Sequence, residues 1–227
     1  MIKLASFNIR AGMGMDGIFN IERVTKKITS IPADFIALQE VDNGLSRSQR
    51  LDEAKIFAEA TNMHYEFAKA IDFDGGEYGV ALLSKVKPVA TKKIPLPGSE
   101  EKRVLLICEF ENVVVCCTHF SLTEEDRIKS IEILKSELCG KYNKPTFVMG
   151  DLNSTPDSKV VELLQQSFDV VSDATTYTFP ANAPKICIDY ILMVKNPSIK
   201  ADLAEKYVDN DVEASDHLYI SSIIEEK

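Results

Sequence analysis

Short apolar runs rich in β-branched residues alternate with segments of helical period along the chain, and this order restricts the possible folds. We predict strands at residues 2–8, 35–39, 79–84, 104–110, 113–118, 146–149, 188–193 and 218–223. Helical periodicity covers residues 21–31, 51–61 and 123–138, and a shorter helix is predicted from Pro156, capped by Thr155 or Ser154. Such alternation is typical of an α/β or a layered α+β domain.

Two of the predicted strands are expected to form a hairpin. Runs 104–110 and 113–118 are separated by a tight connection, so antiparallel pairing is favoured over a purely parallel, doubly wound sheet. The Pro/Gly-rich stretch at 94–99 is too short for a domain linker and is interpreted as a loop. His64 is placed at the end of a helical pattern, with no functional role.

Composition limits the class of protein. With 227 residues, 45% of them hydrophobic, we expect one globular domain over residues 1–227. A formal net charge of −9 disfavours broad electrostatic capture of nucleic acid. The five cysteines include no CxxC pair, so free thiols in a reducing compartment are expected. The sequence contains no recognisable signal peptide or membrane-span pattern, which favours a cytoplasmic location.

Several apolar runs end on a residue that can bind a metal or move a proton. These residues are Asn8, Glu40, His119, Asp151 and Asn153. In addition, Asp189 lies inside the apolar string 186–192, and Asp216 and His217 precede the last predicted strand. Each has an ordinary explanation as a turn former, cap or surface group. Together they have the composition of a hydrolytic site, and their carboxylates suit Mg²⁺ better than zinc.

Seven strings, six of which carry these residues, resemble in order the endonuclease/exonuclease/phosphatase superfamily of Mg²⁺-dependent phosphoesterases. They are SFNIR at 6–10, ALQEVD at 37–42, YGVALLSK at 78–85, THFSL at 118–122, GDLNSTP at 150–156, IDYILM at 188–193 and SDH at 215–217. The superfamily includes abasic-site endonucleases, DNase I, neutral sphingomyelinases and inositol polyphosphate 5-phosphatases. The resemblance implies an α+β, DNase I-like fold: a four-layer sandwich of two mixed β-sheets packed face to face and flanked by helices.

The resemblance also implies a metal site and a base. Glu40 is similar to the family's principal Mg²⁺ ligand, with Asn8 beside it and Asp216 near the metal, and Mn²⁺ can substitute. Asp151 resembles the general base that takes a proton from the attacking water. Asn153 would position that aspartate, and in an extended segment the i, i+2 spacing would point both side chains to one face.

Two histidines and an arginine complete the implied site. His217 resembles the histidine at the scissile phosphate, oriented by Asp189, which would favour the imidazolium. His119 matches a phosphate-contacting histidine of the phosphatase and sphingomyelinase branches, with a hydrogen-bonded core histidine as the alternative. Arg10 is a candidate for the substrate phosphate, and a surface role is equally open.

The expected function is hydrolysis of a phosphodiester or phosphomonoester by in-line attack of an activated water. We expect a small phosphorylated molecule or a lipid headgroup as the substrate. The alternatives are a DNA or RNA nuclease and a catalytically silent phosphate-binding module. One departure concerns Val80, which stands where many diesterases carry a phosphate-contacting Asn. No basic, aromatic-interleaved insertion suited to nucleic acid is found.

Overall fold

The computed structural model describes residues 1–199 and 201–226. Its elements follow one another as β1 (Ile2–Asn8), α1 (Ile21–Thr29), β2 (Phe35–Asn43), α2 (Glu53–Thr61), β3 (His64–Phe73), β4 (Gly76–Ser84), β5 (Ala90–Leu96), β6 (Arg103–Glu109), β7 (Val114–His119), α3 (Glu124–Leu138), β8 (Thr146–Asp151), α4 (Lys159–Leu164), β9 (Phe168–Val170), β10 (Asp189–Val194), β11 (Ala201–Val208) and β12 (Ile220–Glu226).

The strands form two mixed sheets of six strands each. The first has the order β11-β12-β1-β2-β4-β3 and the second the order β5-β6-β7-β8-β10-β9. Strands β1 and β2 pair in parallel, as do β7 and β8, and the other named pairs are antiparallel. The predicted hairpin of β6 and β7 is confirmed.

The apolar residues pack in three clusters that define four layers. Leu4 and Leu82 of the first sheet meet Leu106 and Met149 of the second in the cluster between the sheets. A second cluster joins α1 and α2 to the outer face of the first sheet, and a third joins α3 and α4 to the outer face of the second. Central strands are therefore buried on both faces, which explains their continuous apolar runs. The four-layer sandwich is confirmed.

Val80 stands where many diesterases carry a phosphate-contacting Asn. It is buried in the cluster between the sheets, so its side chain packs in the core.

Within the described residues, no helix combines the length and apolar character needed to cross a bilayer.

Four strands, β3, β5, β9 and β11, lie outside the predicted set, and all four are at sheet edges. β3 has mostly exposed or half-exposed residues, so it lacks the apolar run of a central strand. His64 begins this strand, and its placement in a helix was wrong because Asn62 ends α2 in the left-handed conformation. The loop prediction at 94–99 was also wrong in part, since β5 continues to Leu96. Pro95 is tolerated there because β5 is an edge strand.

The short helix predicted from Pro156 is present as α4, but its predicted start and cap were wrong. Pro156 and Asp157 lie in a turn, closed by the bond from the Ser158 N–H to the Thr155 carbonyl at 3.0 Å. Helix α4 begins at Lys159, and the Ser158 hydroxyl accepts from the Val161 N–H. Ser158 is thus the better cap, because its backbone is extended immediately before the helical turns.

A fully buried carboxyl group connects α2 to β2. Oε2 of Glu53 accepts from the Asp42 N–H at 2.8 Å, and Oε1 is buried without a hydrogen-bond partner among the described residues. Burial raises the pKa of Glu53 from 4.5 to about 8. The folded protein therefore holds a proton on Glu53 at neutral pH, whereas the unfolded chain does not.

This difference predicts a pH-dependent effect of Glu53→Gln on stability. Between pH 4.5 and about 8 the folded state binds the extra proton, so Glu53 lowers stability by about 1.4 kcal/mol per pH unit of increase. Glutamine keeps an acceptor for Asp42 and cannot ionise. The melting temperature of Glu53→Gln relative to wild type should be higher at pH 9 than at pH 5. The exposed Glu59→Gln on the same helix serves as control, and a pH-independent difference for Glu53→Gln would contradict the assignment.

Candidate active site

The ends of strands from both sheets meet around Asp151. In the second sheet Asp151 ends β8, where it lies in register with His119 of β7 on one side and Asp189 of β10 on the other. Asn8 ends β1 of the first sheet. The sandwich thus brings together four residues that are far apart in sequence, because these strand ends lie at one edge of the two packed sheets.

Asn8 connects the two sheets through its side-chain amide. Its Nδ2 donates to Glu40 Oε1 at 3.0 Å and to Asp151 Oδ2 at 3.1 Å, while its Oδ1 accepts from the Arg10 N–H at 3.1 Å. Asn8 is fully buried. Two carboxylates therefore approach one amide group at the junction of the sheets.

Glu40 reaches this position because β2 has an irregularity. The register of β2 with β4 shifts between Leu38 and Val41, and Glu40 has a φ of 57°. A left-handed conformation is unfavourable for glutamate, and such residues concentrate at functional sites. The bulge turns the Glu40 carboxylate toward Asn8 at the strand ends.

Asp151 and Asn153 are joined by a turn. Oδ1 of Asp151 accepts from the Asn153 N–H at 2.9 Å, and Asn153 has a φ of 47°. The expectation that an extended segment aligns the two side chains was wrong, because the aspartate bonds the backbone two residues on. Nδ2 of Asn153 donates to the Phe120 carbonyl at 2.9 Å. Burial raises the pKa of Asp151, and the positive charge of His217 opposes this shift.

His217 is held against Asp189. Its Nδ1 lies 3.0 Å from Asp189 Oδ2, and its Nε2 lies 3.6 Å from Asp151 Oδ2. Burial alone lowers the pKa of His217, but Asp189, with Asp151 and Asp216, raises it to about 10. An imidazolium at neutral pH follows, and its Nε2–H is directed toward Asp151.

Ser215, two residues before His217, attaches the segment that carries His217 to the first sheet. Its hydroxyl donates to the Asn8 carbonyl at 2.7 Å and accepts from the His217 N–H at 3.2 Å.

His119 has a different protonation state from His217. Burial, with the positive charges of Arg103 and His217, lowers the pKa of His119 well below 6.5, so the ring is neutral. Nη1 of Arg103 lies 3.1 Å from His119 Nδ1. Because arginine only donates, Nδ1 must accept, and the single ring proton belongs on Nε2. Nε2 lies 3.2 Å from Asn153 Nδ2 and 3.5 Å from Asp151 Oδ2, so Asp151 is the acceptor that this tautomer can use.

Sequence reasoning missed Arg103, which is only 7% exposed and also pairs with Glu101 at 2.9 Å. The available signal was a buried cation at the start of an apolar strand that pairs with the strand ending in His119.

Asp216 and Arg10 form an ion pair at the rim. Nε of Arg10 lies 3.2 Å from Asp216 Oδ2, and Nη1 of Arg10 donates to the Gly14 carbonyl. Within the described residues, no hydrogen bond or ion pair joins Asp216 to Glu40 or Asn8. The metal role of Asp216 and the phosphate role of Arg10 stay predictions.

The residues around Asn8 fit a hard divalent cation. Glu40 Oε1 and Asp151 Oδ2 both lie at hydrogen-bond distance from the Asn8 amide, and Asn8 Oδ1 keeps a second lone pair beside the Arg10 N–H. Oxygen ligands of this kind suit a hard cation. Ligand atoms of Asp151, Asp189 and His217 also lie within 4.8 Å of one another. Since Asp189 and His217 are at hydrogen-bond distance, we interpret them as an oriented pair.

Comparison with solved structures identifies similar folds at low sequence identity. An endonuclease/exonuclease/phosphatase from Bacteroides vulgatus is 18% identical, with 100% of this chain and 99% of that chain covered and a TM-score of 0.80. A mannosyl-6-phosphatase from Bacteroides thetaiotaomicron is 20% identical, with 99% of each chain covered and a TM-score of 0.71. The catalytic domain of human nocturnin, with bound sulfate, is 18% identical over 100% of this chain and 94% of that chain, with a TM-score of 0.74.

Sequence comparison gives a family assignment. No curated protein matches the chain significantly. The sequence profile of the endonuclease/exonuclease/phosphatase family matches residues 5–217, which is most of the chain. The protein therefore belongs to the endonuclease/exonuclease/phosphatase family.

Proposed function

We propose that the protein is a metal-dependent phosphoesterase that hydrolyses a small phosphate ester by in-line attack of water. The observation that carries this proposal is the buried Asp151 carboxylate, which lies 3.6 Å from His217 Nε2 and 3.1 Å from Asn8 Nδ2. A potential base thus lies beside a fixed cation, and it shares the Asn8 amide with Glu40, a carboxylate suited to a metal. Because the protein belongs to a family of phosphoesterases, we infer that this arrangement hydrolyses a phosphate ester.

In an in-line displacement, each of these residues would have a separate role. Asp151 accepts a proton from water as the water oxygen bonds to phosphorus and the ester P–O bond breaks. The leaving oxygen takes a proton from solvent. The imidazolium of His217, held by Asp189, stabilises the charge on the phosphoryl oxygens. Asn153 and the neutral His119 fix the orientation of Asp151.

Glu40 and Asn8 would hold the divalent cation, with Asp216 near the cation and Arg10 near the phosphate. Mg²⁺ is the proposed ion, because Glu40 and Asn8 supply oxygen ligands and Mg²⁺ keeps positions for water and phosphate. When bound, the ion would neutralise phosphoryl charge and orient the ester.

A small substrate is favoured over a nucleic acid. The formal net charge of −9 repels a polyanion at long range. A structural neighbour with the complete fold is a mannosyl-6-phosphatase, which supports a monoester of a small alcohol as one substrate class. A lipid headgroup phosphate belongs to the same chemical class.

Asp151→Asn should remove most phosphoesterase activity. The amide cannot take the proton of the attacking water, so kcat should fall at least about 100-fold. Hydrolysis of p-nitrophenyl phosphate and bis(p-nitrophenyl) phosphate with Mg²⁺ measures the loss. Asp157→Asn, an exposed aspartate in the following turn, is the matched control. Equal activity of Asp151→Asn and wild type would contradict the proposed base.

Glu40→Gln should weaken metal activation. Loss of the anionic ligand should raise the Mg²⁺ concentration for half-maximal activity by at least roughly 10- to 100-fold. EDTA should abolish the activity of wild type, and added Mg²⁺ or Mn²⁺ should restore it. Glu59→Gln is the control. An unchanged Mg²⁺ titration of Glu40→Gln would exclude Glu40 as a ligand.

Arg103→Lys should disturb the position of His119. Lysine keeps the charge but loses the planar fork, so kcat should fall by about tenfold or more while KM changes less. The ¹⁵N chemical shifts of the His119 ring provide a readout that does not depend on activity. Wild type should show the Nε2–H tautomer and Arg103→Lys a mixture, with Arg23→Lys as control. A pure Nε2–H signal in the variant would show that Arg103 does not fix the tautomer.

A further inference from the structure

A pocket next to Glu40 lies outside the catalytic cluster. Its volume is about 580 Å³, and it is bounded by the β3–β4 hairpin on one side and by the segment 98–102 between β5 and β6 on the other. Glu40 belongs both to this pocket and to the cluster around Asn8. Any ester whose phosphate lies at Glu40 therefore has this space available for its alcohol group.

Tyr78 carries a hydroxyl that the described residues leave without a hydrogen bond. Its side chain lines the pocket and the residue is only 7% exposed. Buried tyrosine hydroxyls usually have a partner, because an unmade hydrogen bond costs free energy. This hydroxyl can donate to a ligand and accept from it.

Arg47 is fixed in the same pocket by three neighbours. Its Nε and Nη2 donate to the two oxygens of the buried Asp42 at 2.8 and 2.7 Å. Its guanidinium lies 5.6 Å from the ring centre of Phe73 and 5.3 Å from that of Tyr78. Nη1 makes no hydrogen bond to the described residues and is therefore free to donate to a ligand.

The other lining residues select against a second anionic group. The lining holds four carboxylates and two cations, namely Glu40, Asp72, Glu100 and Glu101 with Arg47 and Lys102. Ion pairs add Asp42 at Arg47, Lys69 at Asp72 and Arg103 at Glu100 and Glu101, so five carboxylates face four cations. A second phosphate, or the backbone of a nucleic acid, would be repelled here, whereas carboxylates accept well from neutral hydroxyl groups.

Phe73 adds an apolar surface to this polar lining. The residue is 49% exposed at the tip of the hairpin. A sugar ring presents C–H groups on its faces and hydroxyls at its rim, which is the combination that an aromatic face and a ring of donors and acceptors would bind.

We propose that this pocket binds the neutral polyhydroxyl leaving group of the substrate, a sugar or cyclic polyol carrying the phosphate ester. The inference rests on the proposed phosphoesterase function and specifies its substrate class. Tyr78 and Arg47 form hydrogen bonds with the hydroxyls of the leaving group, and Phe73 packs against its ring. The acidic lining disfavours a second phosphate.

The test compares substrates within each variant of the full chain in Mg²⁺. Wild type should have a higher kcat/KM for a hexose 6-phosphate than for a nucleoside 5′-monophosphate or a hexose 1,6-bisphosphate. Tyr78→Phe removes only the hydroxyl. It should lower the ratio of kcat/KM for hexose 6-phosphate to that for p-nitrophenyl phosphate by about tenfold, the effect of one hydrogen bond. Tyr65→Phe, on the adjacent strand and outside this pocket, should leave the ratio unchanged.

The outcomes separate this inference from the proposed function. Hydrolysis of p-nitrophenyl phosphate together with an unchanged ratio in Tyr78→Phe would overturn the pocket assignment alone. Preference for the nucleotide or the bisphosphate would also overturn it. No Mg²⁺-dependent hydrolysis of any of these esters by wild type would overturn the proposed function, and the pocket assignment with it.

Discussion

The hydrogen bond from Asn8 to Asp151 is the interaction on which the candidate site depends. It joins the end of β1 in one sheet to the end of β8 in the other, across 3.1 Å. The core between the sheets holds them together, and this hydrogen bond joins the two strand ends at its edge. Because both residues are buried, a shift of either sheet would leave an amide or a carboxylate without a partner, which is costly.

The neighbours of Asp151 balance its charge in different ways. His217 contributes a cation because Asp189 stabilises its proton, whereas His119 is neutral because burial, and then the positive charge of Arg103, disfavour a charged ring. Two histidines on opposite sides of one aspartate thus have different protonation states. Pairs of groups with separated pKa values are the usual arrangement where one group moves a proton and another stabilises charge.

The sequence predicted the central part of the fold better than its edges. Strands such as β1 and β8 are buried on both faces, so their apolar runs are unambiguous. The edge strand β3 has polar residues on much of its length, and its pairing depends on β4. The helix placed at Pro156 shows the same limit, since a turn and a helix start use the same residue types there.

The sequence by itself determined the family and the chemical types of the site, because residues such as Glu40, Asp151 and His217 stand in strings that keep their order along the chain. The tertiary structure alone decided how these groups act on one another. The distances that separate their charges, and the depth of their burial, come from sheets that pack through residues distant in sequence. Arg103 has no informative string around it, and the string that begins at Tyr78 assigns no role to the tyrosine hydroxyl. Their importance follows only from what lies next to them: a histidine ring nitrogen in one case and an open pocket in the other.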